Sequence, residues 1–242
     1  MENNQFLTKK KWMELFRDFG IRSGSVVCLQ GNISRFGTTL DGYQAVIDAL
    51  LELVGDNGCV MVPTFTYSCL DPSCRNNQMY PFEMWKDIRE QMKGYSAKLT
   101  PSSIYKDLCD QFLRYKGVVR TTHPVYSFAF LGKIDESWIK QPLNYPVSFV
   151  HVLKGFVSKN AYNVLLGIPK EESILIPAIS KTMNKGITEV QRAYIHKQDS
   201  NQLKTYLNLK VDIEYVDEVM EMLDCQSKKV NGEFIHCITI EN

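Results

Sequence analysis

Segment 117–128 carries the residues whose types and spacing are best suited to acid–base chemistry. It contains Arg120, His123 and Ser127 in a short loop, and an apolar run follows directly. Imidazole has an unperturbed pKa near neutrality, so His123 could take a proton from a nucleophile and return it. Pro124 biases the residue before it toward an extended backbone. We interpret His123 as a candidate general base; the alternative is a loop histidine without a catalytic task.

Other catalytic signatures are absent from the sequence. There is no phosphate-binding glycine loop of the P-loop or dinucleotide type, no Gly-x-Ser-x-Gly and no His-Glu-x-x-His. The seven cysteines are scattered without a Cys-x-x-Cys pair, so we predict free thiols and no metal site. What remains is a reaction without a metal or a protein nucleophile, such as acyl transfer from a thioester to an amine.

The composition of the chain argues against several classes of protein and of binding partner. The chain has 242 residues, 44% of them hydrophobic, with 28 Lys and Arg against 27 Asp and Glu. This near-neutral balance, without a basic stripe, argues against a nucleic-acid partner. No apolar run reaches the ~20 residues that span a bilayer, and the first residues do not read as a signal peptide. We therefore expect a cytoplasmic protein with no membrane span.

Hydrophobic periodicity predicts alternating helices and strands. Apolar spacing indicates a helix over 9–19, a strand over 25–29, a helix from Asp41 to about Gly55 and a strand over 59–62. Strand, helix, strand in this order predicts a parallel pair. Further strands are expected over 126–131 and 162–166, and an acidic amphipathic helix over 213–223, while 68–100 is typical of a functional flap or a partly helical insert. We predict a single α/β domain over residues 1–242.

Several segments resemble the aminoglycoside 3-N-acetyltransferase family, in the family's order. Segment 120–127 is similar to its motif Arg-Ser-x-His-Pro-x-x-Ser, and the other pieces are 20–27, 45–51, 60–68, 100–102 and 164–167. The resemblance implies an α/β fold with a mixed, largely parallel sheet covered by helices. It also implies transfer of an acyl group from coenzyme A, as acetyl-CoA, to an amine.

The chain departs from the family pattern at three places. Gln30-Gly31-Asn32 stands where the first strand of the family ends in His-Ser-Ser or His-Ala-Ser. Pro177 and Ser180 stand near the positions of a family histidine and glutamate, and Val125 stands where an aspartate is common. These departures leave two hypotheses: an enzyme with a rebuilt site, or a catalytically degenerate member that acts as a binding or scaffold protein.

The resemblance implies roles for individual residues. His123 is the expected base, with Asp71, Glu171 or Glu172 as its carboxylate partner, and no metal is expected. The acceptor is expected to be an amino sugar of surface-glycan or natural-product biosynthesis, or an aminoglycoside, and a homodimer is compatible with the resemblance. The residues expected to bind coenzyme A are Gly31, Asn32, Ser34, Arg35, Thr38 and Thr39, with the backbone amides of the first two, or the side-chain amide of Asn32, as oxyanion donors. The residues expected to bind substrate are Arg120, Ser127, Tyr67 and Asp71.

Overall fold

The computed structural model describes residues 6–74, 80–147, 161–197 and 200–240. The strands in these ranges are β1 (Val26–Gly31), β2 (Cys59–Pro63), β3 (Val119–Arg120), β4 (Phe128–Gly132), β5 (Ala161–Leu166), β6 (Gly186–Lys197), β7 (Ser200–Val211), β8 (Leu223–Val230) and β9 (Glu233–Ile240). The α-helices are α1 (Lys9–Asp18), α2 (Gly42–Val54), α3 (Trp85–Gln91), α4 (Lys106–Leu113), α5 (Glu136–Ile139), α6 (Leu175–Thr182) and α7 (Val216–Met220).

Seven of these strands form one mixed sheet in the order β3-β4-β2-β1-β5-β9-β8, and β6 and β7 form a separate two-stranded sheet. The central strand β1 runs parallel to β2 and to β5. The outer pairs β2–β4, β3–β4, β5–β9 and β8–β9 are antiparallel. The predicted mixed α/β sheet is therefore confirmed, and its parallel part is the central three strands.

The parallel pair β1–β2 and its crossover helix are confirmed. β1 and β2 align from Val26 opposite Cys59 to Cys28 opposite Met61, and α2 connects them. The apolar stripe of α2 is buried against the sheet, together with Trp12 and Phe16 of α1. Helix and strand agree with their sequence patterns here because each has one continuous apolar face to bury.

Both faces of the sheet are covered. Helices α1, α2 and α4 bury one face, with Trp12, Leu50 and Phe112 in the core. The other face packs against α6, α7 and the β6–β7 hairpin, represented by Leu175 and Tyr206. All seven cysteines are free, and six of them are buried. No helix in the described ranges is long and apolar enough to cross a membrane.

Two predicted elements differ from the structure. The helix predicted over 213–223 is a 3₁₀ turn, Ile213–Tyr215, followed by the short α7, because Leu223 already begins β8 and pairs with Ile240. Ile213 is 86% exposed and is not part of a buried face. The strand predicted from residue 126 begins at Phe128. The insert over 68–100 contains α3 and 3₁₀ turns in its described part, as predicted, while residues 75–79 lie outside that part.

Candidate active site

A cleft of about 420 Å³ opens at the carboxyl ends of the three central strands. It is lined by Gln30 from the end of β1, Phe65 just after β2 and Glu172 just after β5. Because β1 pairs with β2 on one side and with β5 on the other, this is the switch point of the sheet, where α/β folds bind ligands. Its place in the topology makes this cleft the candidate site.

Aromatic and ionisable side chains form much of the cleft wall. They are Phe65, Tyr67, Tyr105, Tyr126, Glu171, Glu172, Glu189 and Lys210. Among the described residues of the wall, three carboxylates against one ammonium group give a negative balance, which favours a cationic ligand. Among the described residues that line the cleft there is no histidine and no cysteine.

The side chain of Gln30 connects the strand ends at the base of the cleft. Its Oε1 accepts hydrogen bonds from Asn163 Nδ2 at 2.9 Å and from the backbone N–H of Ile174 at 3.0 Å. Its Nε2 donates to the Tyr105 hydroxyl at 3.3 Å and to the backbone oxygen of Glu172 at 3.1 Å. A buried amide needs this full set of partners, so Gln30 fixes the loop after β5 against β1.

Tyr105 reaches the cleft from an unusual backbone conformation. It lies immediately before α4 with φ at 43°, a left-handed conformation that a bulky residue seldom adopts. Its hydroxyl accepts from Gln30 and donates to Oε2 of Glu172 at 3.4 Å. Burial raises the pKa of Tyr105 well above its usual value, so the phenol is protonated and acts as a donor at neutral pH.

A second buried polar cluster joins the hairpin to the floor of the cleft. Gln191 Oε1 accepts from the hydroxyl of Tyr126 at 3.1 Å and from that of Tyr206 at 2.8 Å. Asn208 Nδ2 donates to the Tyr126 hydroxyl at 3.1 Å. Because Tyr126 and Asn208 also line the cleft, this cluster positions the hairpin relative to the strand ends.

The structure places His123 beneath the cleft wall and away from its surface. The ring is 3% exposed; Nδ1 accepts from the backbone N–H groups of Val125 at 3.2 Å and Tyr126 at 2.9 Å. Nε2 therefore carries the proton and donates to the backbone oxygen of Leu143 at 3.1 Å. Burial lowers the pKa of His123 to about 4. Both ring nitrogens are bonded to backbone groups, so the ring joins two loops. No contact of the ring among the described residues supports its predicted role as a base.

Arg120 and Ser127 are also buried and lie away from the cleft. Arg120 donates to the backbone oxygens of Thr64 at 2.8 Å and Thr100 at 2.6 Å, and its Nε reaches the hydroxyls of Thr64 and Ser127. Ser127 Oγ donates to the Thr64 oxygen at 2.8 Å. The motif that contains His123 thus joins the loop after β2 to the loop after β3. Neither Arg120 nor Ser127 exposes a side-chain surface that could contact the predicted substrate.

The two other residues predicted to bind substrate have different environments. Tyr67 lines the cleft, as expected for such a residue. Asp71 is buried and accepts two hydrogen bonds from Arg89 at 2.9 Å, so it does not pair with His123. Burial would raise the pKa of Asp71, but the hydrogen bonds from Arg89 and Ser73 outweigh it and hold the pKa well below its usual value.

The loop predicted to bind coenzyme A follows β1 and is largely exposed. The backbone N–H of Asn32 is bonded to the Leu166 oxygen at 2.8 Å, and its side chain caps the 3₁₀ turn Ile33–Phe36. Gly31 has φ at 114°, and a Cβ there would lie 2.2 Å from the Leu166 oxygen, so only glycine fits between β1 and β5. The predicted oxyanion donor at the Asn32 amide is therefore already occupied.

The remaining members of this loop present polar groups to the surface. Ser34, Arg35 and Thr38 are exposed, and Arg35 donates to the Gly167 oxygen at 2.9 Å. The hydroxyl of Thr39 is buried without a hydrogen-bond partner among the described residues. Arg35 is thus anchored beside β5 while its charge stays accessible, which suits an anionic ligand.

The two departures from the family pattern that follow β5, at Pro177 and Ser180, lie on α6. Pro177 lines the cleft directly, and Ser180 is buried with a hydroxyl that has no partner among the described residues. Neither side chain can exchange a proton near neutral pH.

The sequence analysis did not predict several residues of the site. They are Gln30 as a connector, Tyr105, and Glu189, Asn208 and Lys210 of the hairpin. The hairpin residues carried no motif, and only the fold brings them to the strand ends.

Comparison with known proteins identifies the family. The family model described as aminoglycoside 3-N-acetyltransferase matches residues 29–239. The chain is 30% identical over 168 residues to the SPbeta prophage-derived aminoglycoside N(3')-acetyltransferase-like protein YokD of Bacillus subtilis, covering 69% of this chain and 62% of that protein. It is 27% identical over 179 residues to aminoglycoside N(3)-acetyltransferase IX of Micromonospora chalcea, covering 70% and 60%. The matches thus span about three fifths of these relatives' length.

Solved structures share the same fold. The crystal structure of Bacillus subtilis YokD superposes with a TM-score of 0.83 at 24% identity, covering 96% of this chain and 94% of that one. The structure titled AAC-IIIb binary with CoASH gives a TM-score of 0.78 at 16% identity, covering 97% and 92%. The family match and the shared fold agree. This chain belongs to the aminoglycoside 3-N-acetyltransferase family.

Proposed function

We propose that this protein is a coenzyme A-dependent N-acyltransferase that acetylates an amino group of an amino sugar in the cleft at the strand ends. The observation that carries the proposal is an acidic, aromatic cleft at the switch point of the sheet, in a chain of this family. A solved structure of the same fold is a binary complex with CoASH, which supports coenzyme A as the acyl carrier.

The cleft wall suits a small cationic acceptor. Glu171, Glu172 and Glu189 would attract a protonated amine, and Phe65 and Tyr67 offer ring faces for a sugar. The cavity of about 420 Å³ lies toward the small end of the range for ligand sites, about 300–1,000 Å³. This favours a compact amino sugar of glycan or natural-product biosynthesis over a large aminoglycoside.

Acyl transfer also needs a donor to the developing oxyanion. Tyr67 lines the cleft and carries a phenolic hydroxyl. Burial raises the pKa of Tyr67, so the phenol stays protonated and can donate. We therefore assign the oxyanion contact to Tyr67, in place of the Asn32 amide that Leu166 already engages.

The phosphates of coenzyme A are proposed to bind the loop after β1. Arg35 supplies a fixed positive charge there, and Ser34 and Thr38 supply exposed hydroxyls. Acetyl-CoA binding only to the folded state should raise the melting temperature: at a hundredfold excess over Kd the gain is about 2.7 kcal/mol, or about 5–10 °C. Thermal unfolding with millimolar acetyl-CoA checks this prediction.

Two variants sharpen the binding experiment. Arg35→Ala should lose most of the shift, whereas Arg114→Ala, which removes an exposed arginine after α4, should keep it. A shift of the same size in both variants would place the cofactor elsewhere, and no shift in the wild type would contradict coenzyme A binding.

One observation favours the second candidate, a binding or scaffold protein. Pro177 and Ser180 supply no acid–base group, and His123 is held by backbone on both ring nitrogens. Such a protein would bind coenzyme A or an amino sugar without releasing thiol. Measuring both binding and turnover on the same sample therefore separates the two candidates.

A further inference from the structure

The cleft contains few groups able to accept a proton. Among the described residues that line it, the candidates are carboxylates, phenols and one lysine. Burial raises the pKa of Tyr67 and Tyr105, which makes these phenols poor proton acceptors near neutral pH. Within the described part of the wall, the carboxylate candidates for the base are Glu171, Glu172 and Glu189.

Among the described residues, Glu172 is the one of the three carboxylates that a side chain from a distant part of the sequence holds. The backbone oxygen of Glu172 accepts from Gln30 Nε2 at 3.1 Å, and its Oε2 accepts from the Tyr105 hydroxyl at 3.4 Å. The carboxylate of Glu189 accepts from Gln191 Nε2, two residues along the same strand, at 3.5 Å, and the carboxylate of Glu171 has no hydrogen bond to the described residues. A base must be held in reach of its proton, and this geometry singles out Glu172.

The contact from Tyr105 belongs to a buried network that extends under the cleft. Ser173 Oγ donates to Asn163 Oδ1 at 2.6 Å, and Asn163 Nδ2 donates to Gln30 Oε1 at 2.9 Å. Gln30 then donates to Tyr105, whose left-handed backbone turns the phenol toward Glu172. Strained backbone that a surrounding network holds in place is often found at functional sites.

We propose that Glu172 accepts the proton of the attacking amine and that Tyr105 is its positioning residue. This inference rests on the proposed acyltransferase function. The amine nitrogen bonds to the thioester carbonyl carbon, and the carbon–sulfur bond then breaks. The proton leaves nitrogen for the Glu172 carboxylate, which passes it to the departing thiolate. The products are the amide and free coenzyme A.

Replacing the carboxylate by an isosteric amide tests the proposal. Glu172→Gln should lower kcat by about 10²- to 10⁴-fold, because it removes the proton acceptor and keeps the shape. The melting temperature and the acetyl-CoA shift should be unchanged, since this side chain is exposed. The matched control is Glu136→Gln, an exposed carboxylate at the start of α5 and outside the cleft lining, which should leave both kcat and KM within about threefold.

Chemical rescue separates a base from a structural carboxylate. Added formate should restore part of the kcat of Glu172→Ala, because it returns a carboxylate to the same space, and it should not accelerate the wild type. Tyr105→Phe should lower kcat about tenfold with KM unchanged, since the carboxylate is then present but less well held.

The possible results separate a wrong assignment of Glu172 from a failure of the proposed acyltransferase function. An active wild type with a fully active Glu172→Gln variant overturns Glu172 as the base and leaves the acyltransferase proposal standing. A formate effect equal in wild type and variant also overturns it. A wild type that transfers no acyl group to any amine removes both proposals together.

Discussion

Replacing Arg120 by alanine is expected to lower the free energy of unfolding by about 3–5 kcal/mol. The guanidinium is 8% exposed and donates to the Thr64 oxygen, the Thr100 oxygen and the Ser127 hydroxyl. Its removal leaves these acceptors buried and unsatisfied and opens a cavity between three loops. For a chain of this length the loss corresponds to a fall in Tm of about 6–20 °C.

A second substitution shows whether the shape or the charge of the Arg120 side chain provides this stability. Arg120→Lys keeps the charge but cannot reproduce the fork that spans two backbone oxygens, so it should lose most of the same stability. Arg114→Ala is the exposed control and should change Tm by less than about 2 °C. Urea unfolding of the three variants measures the difference. An Arg120→Ala protein as stable as the wild type would contradict the role of the motif as a fastening between loops.

The second large effect is a loss of stability in acid that His123 causes. Its pKa falls from an ordinary 6.5 to about 4 in the folded protein because burial disfavours the charged ring. The unfolded chain therefore binds more protons between these two values, and folding stability decreases as pH falls through this window. The decrease should approach about 3 kcal/mol near pH 4, and the full stability should be present above pH 6.5.

Variants at position 123 separate this effect from other titrations. His123→Asn can still accept from the backbone N–H groups of Val125 and Tyr126 and does not titrate, so its stability should depend less on pH over the same window. His123→Ala should lose about 3 kcal/mol at pH 7, because both N–H groups are then left buried without an acceptor. Denaturation at pH 4.5 and 7 checks both variants. Equal pH dependence in wild type and His123→Asn would show that another group titrates.

Local patterns were enough to predict the centre of the fold. Helices α1 and α2 and strands β1, β2 and β5 each have an apolar face or run that no alternative element could bury as well. The β6–β7 hairpin was missed because its inward positions include Gln191 and Asn208, which are buried and polar. Their burial depends on partners such as Tyr126, distant in sequence, and periodicity cannot supply that information.

The candidate site was predicted less completely than the fold. A motif shows that Arg120, His123 and Ser127 occur together in the sequence. It does not show whether backbone groups take up the hydrogen bonds of these side chains, as they do here. Glu172 was among the carboxylates considered, as a partner of the histidine. Its contacts with Gln30 and Tyr105 join positions that are 142 and 67 residues apart in sequence. Only the folded chain shows such contacts.

The proposed activity is the transfer of an acyl group from coenzyme A to an amine in the cleft at the strand ends. Thiol release from acetyl-CoA, followed with a chromogenic disulfide, measures this directly when glucosamine, sisomicin and apramycin are supplied in turn. We expect release that depends on at least one amine and a product heavier by a single acetyl group, with turnover retained in the folded His123→Asn variant. Release no faster than the amine-free rate with every acceptor, in a protein that binds acetyl-CoA, would contradict it.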